Sequence, residues 1–150
     1  MRAKKQLIYC ICFALLACHG NTNPYANSLN IEPSVLAEMD TVHYTTIQWK
    51  DSIYNFGKLT QDDSVHIQFN FTNVGTTPLF IFSAHSACGC TVSDYPKEPI
   101  FPGKTGFIAV TFKSGKLEGT IERTITVIAN TKKSKHHILI IRGRVQPVSH

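Results

Sequence analysis

Val65-His66-Ile67-Gln68-Phe69-Asn70-Phe71-Thr72 alternates without a break, apolar at odd positions and polar at even ones. Side chains on a strand point to opposite faces with a period of two, so this octet is a half-buried strand with its odd face on a core. The octet constrains the rest of the chain, because a strand with one apolar face needs a second layer to cover that face. Further segments of the same kind follow. Phe107 to Phe112 puts Ile108, Val110 and Phe112 on one face. Thr120 to Ala129 puts Ile121, Ile125 and Val127 on one side and Thr124 and Thr126 on the other. His137 to Val145 aims Leu139, Ile141 and Val145 one way. Thr45 to Trp49 and Asp51 to Phe56 read as a first strand broken near Lys50–Asp51, as edge strands often are. Leu79-Phe80-Ile81-Phe82 is apolar on both faces, which predicts a central strand or one covered on both sides.

Turn chemistry separates these segments. Asn73-Val-Gly-Thr-Thr-Pro78 combines a glycine with a proline that cannot donate to a central ladder. Tyr95 to Lys104 holds three prolines, which exclude regular structure, and Pro102-Gly103 suits the centre of a type II turn. Lys113 to Gly119 and Asn130 to Lys135 read as loops. Short strands at this spacing, with no amphipathic helix of useful length, predict an all-β fold. The expected form is a single antiparallel β-sandwich over residues 45–150. Phe69 and Val110 are expected to be buried, on facing sheets.

The N-terminal region has a different character. Arg2, Lys4 and Lys5 precede an apolar run from Leu7 to Ala17 that is too short to span a bilayer but suits a signal peptide. The run ends in Leu15-Leu16-Ala17-Cys18, which resembles a bacterial lipobox. The resemblance implies a signal over residues 1–17, cleavage before Cys18, and a lipid on Cys18 that anchors the chain in a membrane. An ordinary secretory signal or an uncleaved anchor are the alternatives. The whole chain carries 15 Lys and Arg against 10 Asp and Glu. Losing Arg2, Lys4 and Lys5 leaves 12 basic against 10 acidic side chains, a balance that does not point to nucleic acid. Lys132, Lys133, Lys135, His136 and His137 form a small basic cluster, read as a solvated turn or, less simply, as an anion or headgroup contact. Residues 18–44 are polar and rich in turn formers, as expected of a flexible tether. Val35, Leu36 and Met39 could make one helical turn there or dock on the domain. No acidic residue closely follows Cys18; by resemblance to sorting signals, this favours an outer-membrane anchor facing the periplasm of a bacterial cell envelope.

The chemistry-bearing stretch is Ser86-Ala87-Cys88-Gly89-Cys90-Thr91. Cys88 and Cys90 are the only cysteines beyond Cys18. Residues i and i+2 of a strand point the same way with Cα atoms about 6.6 Å apart, at the limit of the roughly 4.4–6.8 Å that a disulfide spans. Gly89 allows the chain to fold there. A Cys88–Cys90 disulfide, a redox-active pair, a Cu(I) or Zn(II) site formed with His85, and two inert buried cysteines all remain open. His66 reads as a solvent-facing filler, and His136 and His137 cannot face the same way. Asp40-Thr41-Val42, Asp51-Ser52-Ile53 and Asp63-Ser64-Val65 resemble a bacterial O-glycosylation acceptor, with Thr41 the most accessible. No phosphate loop, Ser-His-Asp arrangement or carboxylate pair is visible. The expectation is therefore a binding or scaffolding module with a protein or glycan partner, rather than an enzyme. A thiol-redox or soft-metal factor is the alternative.

Several motifs together carry a family resemblance. They are Phe69-x-Phe-x-Asn-x-Gly-x-x-Pro-Leu, Ser86-x-Cys-Gly-Cys-Thr, Pro102-Gly-Lys-x-Gly-x-Ile-x-Val-x-Phe, Gly119 before a strand ending Asn130-Thr, and Leu139-x-Ile-x-Gly-x-Val. With these the chain resembles the bacterial family DUF1573, similar in plan to immunoglobulin-like modules of the ASPM/SPD-2/Hydin type. The resemblance covers about Gln48 to Val145. It implies the sandwich fold and carries no activity with it; the family's cysteine pair falls on Cys88 and Cys90.

Overall fold

A computed structural model describes residues 43–86 and 90–148. Eight strands follow one another: β1 (Ile47–Trp49), β2 (Ile53–Thr60), β3 (Ser64–Asn73), β4 (Ile81–Ser86), β5 (Cys90–Asp94), β6 (Thr105–Lys113), β7 (Gly119–Ala129) and β8 (His136–Gln146). They form two four-stranded sheets, ordered β1-β3-β6-β5 and β2-β8-β7-β4. The pairs are antiparallel except β2–β8, which is parallel and so departs from the uniformly antiparallel expectation.

Local alternation sets the faces. In β3, Ile67, Phe69 and Phe71 are buried and the residues between them exposed. In β7, Ile121, Ile125, Val127 and Ala129 point inward, and in β8 Leu139, Ile141 and Val145 do so. Each fully buried side chain of this size contributes about 1.5–3 kcal/mol of hydrophobic stabilisation. The inner faces of the two sheets thus make the core. His66 stands on the exposed face of β3 as expected, with Nδ1 2.9 Å from Thr111 Oγ1 across the pair.

Three expectations need correction. Phe69 and Val110 are both buried, but β3 and β6 are neighbours in one sheet, with Phe69 opposite Ile108 and Ile67 opposite Val110. Alternation fixes the face of a residue and says nothing about which sheet it joins. Leu79 to Phe82 is not a central strand. β4 is an edge, and Leu79 is buried by an isolated bridge to Ile100. Thirdly, the break at Lys50–Asp51 is a change of sheet. Lys50 N still donates to Asn70 O beside β3, and Ser52 O already accepts from Ile140 of β8.

The edges are blunted. β1 is three residues long, and β2, β4 and β5 each carry a register shift. Short and bulged edges resist pairing with further strands. This leaves the two ends of the sandwich as its most varied surfaces. One end holds the segments 73–79, 95–104 and 130–135 and receives the chain at Thr45; we call it the entry end. The other holds 61–63, 114–118, Ser86 and Cys90; we call it the cysteine end.

Candidate binding site at the cysteine end

Strand β4 ends at Ser86 in one sheet, and β5 starts at Cys90 in the other. Ser86 Oγ donates to Cys90 O at 2.6 Å, tying the two edges together. Cys90 lies opposite Phe112 and packs against both apolar clusters of the core. The smaller cluster is Phe112, Ile121 and Val145, with Phe56, Leu59, Val65, Cys90 and Leu117 around it. Phe56 stacks on Phe112, with ring centroids 5.2 Å apart and planes at 22°. The sequence at β5 carries one aliphatic residue, Val92, between polar neighbours, a pattern too short to signal a strand.

Burial pushes the Cys90 thiol above its ordinary 9.0, while the Arg123 guanidinium pulls the other way. A thiol held protonated is a poor nucleophile and a poor metal ligand, because both roles need the thiolate. Arg123 follows the period of β7, on the inward face between Ile121 and Ile125. One of its terminal nitrogens, Nη1, donates to Glu122 O at 3.0 Å, and its Nε is buried with no hydrogen-bond partner among the described residues. The sequence signal was present in the spacing Ile121-x-Arg-x-Ile125, which puts an arginine on an apolar face.

The predicted site residues are not all brought together. Ala84 packs on the core, so His85 points outward from β4; it is exposed and opposite Thr126. Cys90 faces inward, so the structure does not unite His85 with Cys90. Among the described residues no three His, Cys, Asp or Glu side chains cluster as metal ligands, and no disulfide is present. Cys18, Thr41 and Cys88 lie outside the described residues, and with them the lipid site, the glycosylation acceptor and the Cys88–Cys90 pairing.

The entry end has its own geometry. Asn73 is fully buried. Its Oδ1 accepts from Thr45 Oγ1 at 2.7 Å and Gly75 N at 3.1 Å, and its Nδ2 donates to Thr77 O and Ile100 O, both at 2.8 Å. A Cβ on Gly75 would stand 2.2 Å from Thr45 Oγ1, which explains the glycine two residues after the asparagine. Asn130 repeats the device: Oδ1 accepts from Phe80 N at 2.8 Å, and Nδ2 donates to Pro78 O at 3.0 Å and His43 O at 3.3 Å. In the sequence both asparagines read as turn formers. Beside them is a cleft of about 280 Å³ lined by Thr45, Ile47, Thr131, Lys132, Lys133 and His137. Trp49 Nε1 donates to His137 Nδ1 at 3.4 Å, and His137 Nε2 lies 2.7 Å from Thr131 Oγ1. Burial and the neighbouring His136 lower the His137 pKa below 6.5. As expected, the two histidines face opposite ways, His136 outward and His137 half-buried.

A family model described as "Protein of unknown function (DUF1573)" matches residues 47–145. Among solved structures, a Porphyromonas gingivalis W83 protein of unknown function aligns with a TM-score of 0.59 at 14% identity, over 70% of this chain and 49% of its own. The Vibrio cholerae VesB protease aligns at 0.56 and 14% identity, over 65% of this chain and 31% of the protease. The chain thus spans about half of the first and a third of the second. The ASH/PapD-like domain 7 of human CEP192 aligns at 0.50 and 14% identity, over 82% of this chain and 97% of that domain. At this identity the likeness concerns the fold: an immunoglobulin-like sandwich. Comparison with curated proteins finds no match.

Proposed function

The chain belongs to the DUF1573 family, and from that premise we propose that it is a lipid-anchored binding module of the bacterial cell envelope. In this reading Cys18 carries the lipid, residues 18–44 are the tether, and the outer membrane holds the domain facing the periplasm. The domain binds a protein or glycan partner without turnover. The observation that carries this reading is the placement of two features at opposite ends. The chain enters beside Asn73 and Asn130, whereas Ser86 and Cys90 stand at the far end. A tether at one end leaves the other free to be presented, and the blunted edges favour end loops over strand addition as the contact. Thr41, in the tether, is the proposed O-glycosylation position.

Two experiments test it. Cys18→Ala should leave an unprocessed, unlipidated precursor; a normally cleaved, detergent-phase product would overturn the anchor. Photo-crosslinking side chains at Thr91 and at Thr76, each exposed, should give envelope adducts mainly from Thr91. Equal yields, or adducts only from Thr76, would overturn the cysteine end as the binding surface.

The second reading is a thiol-redox or soft-metal factor using Cys88 and Cys90, with Cu or Zn as the metal and His85 as a further ligand. Although burial dominates and leaves the Cys90 thiol raised, what speaks for this reading is the Arg123 guanidinium, whose charge lowers the Cys90 pKa and so favours a thiolate. Cys88→Ser with Cys90→Ser separates the two. Loss of envelope function with the fold intact supports redox or metal chemistry; function that tracks a small loss of stability supports a structural pair. Alkylation before and after reduction, with a metal assay on the same protein, distinguishes disulfide from metal.

A further inference from the structure

The entry end is clasped around the incoming chain by backbone hydrogen bonds from three segments. Thr45 N donates to Asn130 O at 3.0 Å and Lys132 N to Thr45 O at 3.1 Å. Val74 N donates to Thr46 O at 2.9 Å, and Asn73 N to Lys104 O at 2.9 Å. The chain therefore joins the sandwich in the midst of Lys104, Lys132, Lys133 and Lys135, the last of these half-buried and the others exposed. Two large apolar side chains stand out at the same end: Phe101 is 58% exposed and Val74 49%. Both are held on tight turns, Phe101 by the bond from Lys104 N to Phe101 O at 3.0 Å. Across the segments 73–79, 95–104 and 130–135, Glu98 is the one carboxylate. The cysteine end carries Asp62, Asp63 and Glu118 against Lys113 and Lys116, the latter paired with Asp62.

We propose that the entry end is a docking surface for a bilayer bearing anionic, phosphate-containing headgroups. Lysines meet the phosphates, and Phe101 and Val74 reach the interfacial layer. The proposal rests on the anchored reading above, because the occupant is identified by where the tether leads. A polar tether of this length has a root-mean-square span of roughly 25–30 Å, about a domain's width. The entry end is the surface such a tether holds nearest the membrane, at a high effective concentration of headgroups. Polybasic surfaces are drawn to anionic leaflets within a Debye length, and partly exposed apolar side chains add to that attraction. Docking by this end aims the cysteine end, with its carboxylates, away from the bilayer.

The test uses the chain beginning after Cys18, without lipid. It retains the tether and the whole core, since every residue of both apolar clusters lies between Ile47 and Val145. Co-sedimentation is measured with vesicles of phosphatidylcholine alone and with about a third phosphatidylglycerol, at low and high salt. Binding should appear with the anionic vesicles and fade at high salt. Lys132→Glu/Lys133→Glu/Lys135→Glu should lower it at least about tenfold, and Phe101→Ala severalfold, while Lys113→Glu/Lys116→Glu at the far end should leave it unchanged. Thermal unfolding of each variant checks that the fold survives; if the triple variant unfolds, Lys132→Glu/Lys133→Glu carries the test. No binding to anionic vesicles, equal binding to neutral ones, or an undiminished lysine variant would overturn the proposal. Fatty-acid labelling of Cys18 in the full chain tests the anchor separately, so failure of the surface and failure of the lipid remain distinguishable.

Discussion

The entry end of the sandwich is closed around two buried asparagine amides, whereas the cysteine end is closed by the stacked rings of Phe56 and Phe112. The difference is one of information. An amide with all its donors and acceptors used fixes the path of several loops at once, because each partner has one correct position. Asn73 alone gathers Thr45, Gly75, Thr77 and Ile100. Apolar rings fill volume without dictating the path of the chain. Among the described residues of the cysteine end, Ser114 alone acts in the asparagine manner: buried, its hydroxyl lies 2.8 Å from Thr60 O and 2.9 Å from Asp63 O. The more closely specified end is the one where the chain enters at Thr45, and the end held mostly by packing carries Cys90 and Arg123.

The largest test of this contrast is Phe112→Ala. It should cost about 3–5 kcal/mol in chemical denaturation, because the ring lies between Phe56 and the Cys90 side of the core. A loss below about 1 kcal/mol would mean that this end is not held by packing.

Asn73→Ala should cost about 2–4 kcal/mol, since four partners lose their bonds in a buried site. Asn73→Leu sharpens the point: it restores volume but no hydrogen bonds, and should be no more stable than the alanine variant. A leucine variant as stable as the parent would erase the distinction between the ends.

Protonation should separate the ends next. The folded state lowers the His137 pKa, so the unfolded chain binds the proton more readily. Stability is then full above 6.5 and falls as pH drops through 6.5 towards the lower folded value. Cys90 behaves oppositely. Its folded pKa is raised above 9.0, so with the thiol reduced, stability falls as pH rises through 9.0 towards the folded value. Denaturation midpoints against pH should show both slopes, with His137→Gln flattening only the acid one and Cys90→Ser only the alkaline one. Slopes that survive these substitutions would assign the titration to other groups.

Lys116→Ala should have the smallest effect, under about 1 kcal/mol, because its ion pair with Asp62 is exposed on both sides. A larger loss would show that the cysteine end, too, depends on polar contacts.

Which side of each long strand faces the core can be read from its residues alone. The alternation in β3, β6, β7 and β8 is a property of neighbouring residues and needs no knowledge of the rest of the chain. The Pro102-Gly103 turn is legible in the same way: Gly103 has a φ of +75°, and Lys104 N closes on Phe101 O. Proline fixes its own φ, and glycine permits the positive φ that the next position of the turn requires. The immunoglobulin-like plan was legible through motifs spread from Phe69 to Val145. Partnership between strands emerges only in the closed sandwich. Backbone donors and acceptors are the same in every strand, so nothing local could place Phe69 and Val110 in one sheet or parallel β2 beside β8. Nothing local could reveal Cys90 starting an edge strand under Phe112 with the inward Arg123 nearby. Asn73 and Asn130 look like ordinary turn residues in the sequence. Their role depends on carbonyls and amides brought from as far away as Ile100 and His43, and only the closed sandwich supplies them.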